Sequence, residues 1–233
     1  MSIIAANLQA VEATIGAAVQ AAGRARTDVQ LLAVSKTFPA EAVLEAMAAG
    51  QSAFGENYLQ EALEKIAHVA RAQPDAKVEW HFIGPIQSNK TRPIAASFDW
   101  VHTVERLKIA QRLSEQRPPE LGPLNICLQV NISGEASKSG ASEAELPELA
   151  RAVAQLPNLR LRGLMAIPER ATDGEQQRAA FARLRKLNDA LRADGLALDT
   201  LSMGMSGDMD AAIAEGATIV RIGSAIFGAR HYD

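Results

Sequence analysis

Leu31-Leu32-Ala33-Val34-Ser35-Lys36-Thr37 is an apolar run that ends in a lysine and is followed by Pro39 and a helical pattern. Read as a strand, alternate residues share a face, so Leu32, Val34 and Lys36 point the same way. An ammonium on the inward face of a strand is costly unless it is paired or neutral. Two readings of Lys36 follow. It is held for imine (Schiff base) chemistry with an aldehyde or ketone, or it reaches solvent from the strand end. What the rest of the chain builds around it has to decide.

Upstream, Leu8, Val11, Ile15 and Val19 recur at helical spacing, with Gly23 as a stop. Residues 1–25 read as a helix packed against the domain. Downstream, strands and helices alternate. Strands are read at Val29–Ser35, Ser52–Gly55, Val78–Ile83, Asp99–Thr103, Leu124–Ile132, Leu159–Ile167, Leu198–Ser202 and Thr218–Ile222. Helices are read at Ala40–Ala49, at Tyr58–Ala70 with Leu59, Leu63 and Ile66 on the apolar side, up to about Phe98, and at Glu105–Arg117, Glu143–Leu156, Gly174–Ala193 and Asp208–Glu215. Ser142 and Glu145 have capping-box spacing, and Pro147 argues for a later start to that helix. About eight strand-then-helix units are the count of a TIM barrel, which takes about 250 residues. An open doubly wound sheet is the competing architecture. The count, and strands too apolar for a one-sided sheet, favour the barrel. With no repeat or linker, residues 1–233 read as a single domain: one (β/α)8-type barrel with an extra N-terminal helix.

Composition narrows the function. The chain is 48% hydrophobic but only 4% aromatic, and its formal net charge is −3, so it offers no long-range attraction to nucleic acid or an anionic membrane. No apolar run is long enough to span a bilayer. Cys127 is the single cysteine, which fits a reducing, cytoplasmic setting. No Lys or Arg precedes Arg24, so the basic region of a targeting peptide is missing. There is no Walker A motif, G-x-G-x-x-G, H-E-x-x-H or G-x-S-x-G, and His68, His81, His102 and His231 lack metal-ligand spacing. His81 and His102 read as ordinary strand or core histidines.

In a TIM barrel the chemistry sits at the carboxyl ends of the strands, where the unusual residues collect. Lys36 ends strand one, Asn57 follows strand two, and Met165 lies near the end of strand six. Ser202-Met203-Gly204-Met205-Ser206-Gly207 follows strand seven, and Arg221-Ile222-Gly223-Ser224 ends strand eight. Loops after strands seven and eight often bind phosphate, and glycines with free N–H groups admit an anion closely. Ser206 and Ser224 add hydroxyls. With a lysine across the mouth, this suggests a phosphorylated carbonyl compound, a description that pyridoxal 5′-phosphate (PLP) fits. Lys90 and Lys138 read as solvated loop lysines, with transient handling of a phosphate ligand as the alternative. Arg221 shares a face with Ile219, and a buried arginine asks for an acceptor; Glu56 is one candidate.

Five motifs in order, Ala33-Val34-Ser35-Lys36-Thr37, Phe54-Gly55-Glu56-Asn57, His81-Phe82-Ile83-Gly84 with Gln87-Ser88-Asn89-Lys90, Leu201-Ser202-Met203-Gly204-Met205-Ser206 and Val220-Arg221-Ile222-Gly223, resemble the pyridoxal phosphate homeostasis protein family, also called the proline synthetase co-transcribed family. The resemblance runs from about Val29 to the C-terminus. It implies a barrel similar to the N-terminal domain of alanine racemase (PLP fold type III) with PLP on Lys36. It further implies Ser206, Gly223 and Ser224 near the phosphate, Arg221 near the pyridine nitrogen, and Asn57, Met203 and Met165 near the ring. Gly207 is expected to vary.

Three functions compete: a carrier that buffers PLP as a lysine imine in vitamin B6 homeostasis, a PLP-dependent amino-acid racemase, and a PLP-free lysine aldolase. Two-base racemisation needs a second acid/base group, which alanine racemase-like enzymes take as a tyrosine from an additional domain of the partner subunit. Tyr58 begins a helix here and Tyr232 lies in the tail, so neither serves well. The carrier reading follows, in a cytoplasmic monomer without robust catalysis, with PLP and PLP-dependent apoenzymes as its partners.

Overall fold

The computed structural model describes residues 2–133, 139–169, 171 and 173–229. The chain opens with α1 (Ile3–Ala21), capped by the Ser2 hydroxyl, which accepts from Ala5 N–H. Leu8, Val11, Ile15 and Val19 form its buried stripe and pack it over the helices next to the barrel seam. The chain then winds through β1 (Gln30–Val34), α2 (Ala40–Ala48), β2 (Ala53–Glu56), α3 (Leu59–Ala72), β3 (Glu79–Phe82), α4 (Thr91–Ser97), β4 (Trp100–Val104) and α5 (Leu107–Gln116). It continues through β5 (Leu124–Gln129), α6 (Leu146–Ala154), β6 (Leu159–Met165), α7 (Gly174–Ala193), β7 (Thr200–Ser202), α8 (Met209–Ala214), β8 (Ile219–Ile222) and α9 (Ser224–Phe227).

Among the described residues eight strands close a barrel in sequence order, each parallel to its neighbours. β1 pairs with β8, with Leu32 opposite Arg221. The TIM-type architecture expected from the sequence is therefore correct. The period-two alternation of each strand divides the apolar residues into two layers. Leu32, Ala53, Trp100, Cys127, Met165 and Ile219 fill the barrel interior. Leu31, Ala33, Phe54, Phe82, Val101, Leu128, Leu164 and Val220 face the helices. Both faces are buried, which is why the strands read as nearly continuous apolar runs.

Some boundaries differ from the sequence reading for local reasons. β5 stops at Gln129, and the chain continues only as an isolated bridge between Val130 and Ala141. The expected capping box forms, with Ser142 N–H donating to Glu145 Oε2 and Glu145 N–H to the Ser142 hydroxyl, both at 3.3 Å. The helix proper begins only at Leu146, with Pro147 in its first turn, where a missing N–H costs nothing. No helix among the described residues is long and apolar enough to cross a membrane.

Candidate functional site

β1 ends in a turn that is held from below. Ser35 is buried and Lys36 half-buried. Thr37 takes φ +68°, rare for a β-branched residue and strained unless its surroundings enforce it. Its N–H donates to Glu61 Oε1 at 2.7 Å. Beneath lies Lys65, whose ammonium donates to Ser35 O (2.8 Å), Glu56 Oε1 (2.6 Å) and Glu61 Oε1 (3.0 Å). The Ser35 hydroxyl also donates to Glu56 Oε1, at 2.6 Å. Burial pushes the Glu56 pKa up, and Lys65 opposes the shift. The deeply buried face of α3 is thus Ala62, Lys65 and Val69; Leu59, Leu63 and Ile66 are only half-buried. Leu59 and Ile66 still pack against the core, as the sequence reading expects; what that reading missed is the buried Lys65.

On the opposite side of the seam, Arg221 shares the interior face with Ile219. Its Nη1 donates to the Ser202 hydroxyl (2.8 Å) and its Nη2 to Ala166 O (3.0 Å). Its backbone N–H donates to Gly204 O at 2.9 Å. Gly204 has φ +98°, and a Cβ there would lie 2.6 Å from Ala212 Cβ, so only glycine brings this loop so close. Burial lowers the Arg221 pKa to about 10, and the Asp208 carboxylate opposes the shift. Glu56 is not its partner, being bonded to Lys65 and Ser35. No carboxylate hydrogen-bonds the guanidinium among the described residues.

Between these two walls lies a cavity of about 510 Å³, within the range of small-molecule sites. It brings together Lys36, Asn57, Met165, Ser206, Arg221, Gly223 and Ser224 of the residues singled out in the sequence. Met203 is not among them. It is fully buried in the layer between barrel and helices, because Ser202 points inward and the next residue must point out. Met205 lines the cavity instead, with Val34, Ile83, Gln177 and Asp208. The loop's second methionine was visible in the sequence; alternation from Ser202 argues against Met203, but no strand rule reaches Met205, which lies beyond the end of β7. Lys90 is exposed and lies off the cavity wall; Lys138 is outside the described residues. A Cβ on Gly207 would meet nothing within 4 Å, which is compatible with the expectation that this position varies.

The polar groups of the cavity differ in kind. Asn57 Oδ1 is buried without a hydrogen-bond partner among the described residues. A Cβ on Gly84 would lie 2.1 Å from Asn57 O, so a glycine lets the two strand-end loops meet. Ser206 and Ser224 are exposed at the mouth. Ser224 opens α9, whose first N–H groups have no intrahelical acceptor. A primary amine, a guanidinium, hydroxyls and backbone donors around one space suit an anionic molecule that carries a carbonyl group.

His81 and His102, read from sequence as ordinary, lie fully buried in the barrel interior. His81 Nδ1 is 2.8 Å from His102 Nε2, and His102 Nδ1 is 2.7 Å from the Ser202 hydroxyl. No group of three or more His, Cys, Asp or Glu among the described residues could hold a metal ion.

Comparison with known proteins adds four findings. Residues 6–231 match the model of the alanine racemase N-terminal domain family. A pyridoxal phosphate homeostasis protein from Pseudomonas aeruginosa is 67% identical over 232 residues, covering 100% of this chain and 98% of the relative. One from Vibrio alginolyticus is 59% identical over 233 residues, covering 100% of both. Among solved structures, PipY of Synechococcus elongatus with PLP bound superimposes with a TM-score of 0.84 at 36% identity, covering 97% of this chain and 100% of that one.

Proposed function

The chain belongs to the pyridoxal phosphate homeostasis protein family, and on that premise we propose that it holds PLP covalently through Lys36 Nζ, buffers it and releases it to acceptors without robust amino-acid chemistry of its own. The observation that carries this reading is that Lys36 and Arg221, from adjacent strands, share one cavity with Ser206, Gly223 and Ser224. PipY, solved with PLP bound, supports the choice of ligand. The residues present fit PLP. The orphaned Asn57 Oδ1 suits a ring hydroxyl donor. The serine hydroxyls and the opening of α9 suit the phosphate. Among the described residues Arg221 uses only two of its five side-chain donors, leaving capacity for a ring acceptor. Residues 1–233 act on this reading as one PLP-binding domain, a cytoplasmic monomer whose partners are PLP and the apoenzymes that take it up.

When bound, PLP supplies an aldehyde that links to a primary amine and a pyridine ring that withdraws electrons best when its nitrogen is protonated. Arg221 works against that protonated form. With a pKa of about 10 it is cationic at neutral pH and donates hydrogen bonds while keeping its protons. The other ionisable groups on the described cavity wall are Lys36 and Asp208. Asp208 Oδ1 already accepts the Met205 N–H at 2.6 Å. Tyr58 is 51% exposed and lies off the wall, so it is no second acid/base group there. Among the described residues Ser206, Ser224 and Ile167 are exposed at the mouth, and exchange with solvent suits release better than controlled carbanion chemistry.

Two measurements test this reading. The Ser206→Ala variant is expected to bind PLP about tenfold more weakly, the loss of one hydrogen bond to a charged group, and to bind pyridoxal, which lacks the phosphate, unchanged. Equal losses for both ligands would place the phosphate elsewhere. Incubating the loaded protein with L-alanine in deuterated water is expected to give negligible α-proton exchange and no D-alanine. Rapid exchange with racemisation, abolished by Lys36→Ala, would make the racemase reading the better one.

A further inference from the structure

The barrel interior carries a polar chain that, apart from Arg221, the chemistry above does not use. It begins at Arg221 in the cavity and ends at Glu79, the first residue of β3 at the amino-terminal end of the barrel, whose side chain is 40% exposed. Its links are Arg221 Nη1 to Ser202 Oγ (2.8 Å), Ser202 Oγ to His102 Nδ1 (2.7 Å), His102 Nε2 to His81 Nδ1 (2.8 Å) and His81 Nε2 to Glu79 Oε1 (2.8 Å). The residues come from β8, β7, β4 and β3, so closure of the barrel is what assembles them. The Trp100 ring stacks on His81 with an interplanar angle of 4°, fixing the imidazole plane.

Hydrogen-bond chemistry sets the direction of every link. The bond from His81 holds the Glu79 carboxylate down at about pKa 2, so it is ionised and can only accept. His81 therefore carries its proton on Nε2. Burial pushes the His81 pKa down, which keeps the ring neutral, and Nδ1 is left as an acceptor. His102 must then donate from Nε2. Burial, His81 and Arg221 hold its pKa well below the ordinary value, so its Nδ1 is also an acceptor. The Ser202 hydroxyl donates to that Nδ1 and accepts from Arg221, which can only donate. One arrangement satisfies all four links, with a cation at one end and an anion at the other. Aligned hydrogen bonds in a low-dielectric interior polarise one another.

We propose that Ser202, His102, His81 and Glu79 are positioning residues: a one-way hydrogen-bond chain that holds the Arg221 guanidinium in a fixed orientation in the cavity. Its consequence for the cofactor, that Arg221 is thereby aimed at the ring nitrogen of PLP, rests on the function proposed above. Nothing in the chain other than Arg221 lines the cavity. A change at Glu79 reaches Arg221 through four hydrogen bonds.

The experiment compares the full-length protein with Glu79→Ala, which removes the terminal acceptor, and Glu79→Gln, whose amide oxygen still accepts from His81. Nitrogen-15 side-chain spectra of the cofactor-free protein are expected to show His81 and His102 neutral and protonated at Nε2, and the Arg221 Nη hydrogens protected from exchange. Glu79→Ala is expected to mix the histidine tautomers and to speed Arg221 hydrogen exchange, and Glu79→Gln to restore both. With nitrogen-15-labelled PLP bound, Glu79→Ala is expected to shift the ring-nitrogen resonance and weaken binding about fivefold, again with recovery in Glu79→Gln. A proton on Nδ1 of either histidine, or Arg221 exchange that is indifferent to Glu79→Ala, would overturn the proposal. If the wild-type protein bound no PLP, the proposed function would fail, and the Arg221 exchange rates would still decide the orienting role.

Discussion

Replacing Lys65 by methionine is expected to lower the free energy of unfolding by about 3–5 kcal/mol, the cost of stranding one member of a buried ion pair. Lys65 is 4% exposed and Glu56 fully buried, so no solvent replaces the lost partner. Three bonds disappear together, to Glu56, Glu61 and Ser35 O. Glu56 Oε2 already lacks a partner, so the carboxylate has no alternative donor in reach except the Ser35 hydroxyl. It is expected to take up a proton, in keeping with the upward push that burial already exerts on its pKa. The double variant Lys65→Met, Glu56→Gln should recover much of the loss, since replacing a whole buried pair costs far less than breaking it. Denaturant titration measures both, and a loss under about 1 kcal/mol in the single variant would show that the ion pair does not brace the turn. The same change should loosen Thr37, whose left-handed conformation depends on Glu61, and with it the presentation of Lys36.

Replacing Lys36 by alanine is expected to abolish covalent attachment of PLP completely. Lys36 stands at the end of β1, where Val34 and Lys36 face the cavity, and it is the lysine on the described wall. Its visible absorption band after loading should vanish in the variant. Weak binding should persist through Ser206, Ser224 and the backbone at Gly223, because those contacts act on the phosphate and not on the aldehyde. A variant that keeps the full band would move the attachment to another lysine. One that binds no PLP at all, at concentrations far above the wild-type dissociation constant, would show that the phosphate contacts contribute little alone.

The barrel and the lysine were legible in the sequence because both depend on local periodicity. Strands buried on both faces read as apolar runs, and the alternation through Leu32, Val34 and Lys36 places the amine on the inner face in sequence and structure alike. Loop residues after β7 and β8 were legible as a group, but not Met203 against Met205. That choice depends on how the loop turns after β7 ends at Ser202, through Gly204 at φ +98°, which strand alternation does not describe. Lys65 was missed because its helical position looks like a solvated charge until Glu56, on a different element, is brought beneath it. The chain from Arg221 to Glu79 was not legible at all. Its members lie on β3, β4, β7 and β8, far apart in sequence, and two buried histidines look like ordinary core residues until barrel closure places them 2.8 Å apart.

The central claim is that Lys36 carries the cofactor. Its most direct test is reduction of the PLP-loaded protein with borohydride, followed by peptide mapping. One pyridoxyl group per chain on the peptide that contains Lys36 is the predicted result. A stoichiometric adduct confined to Lys90 or Lys138, or no adduct in a protein saturated with PLP, would contradict it.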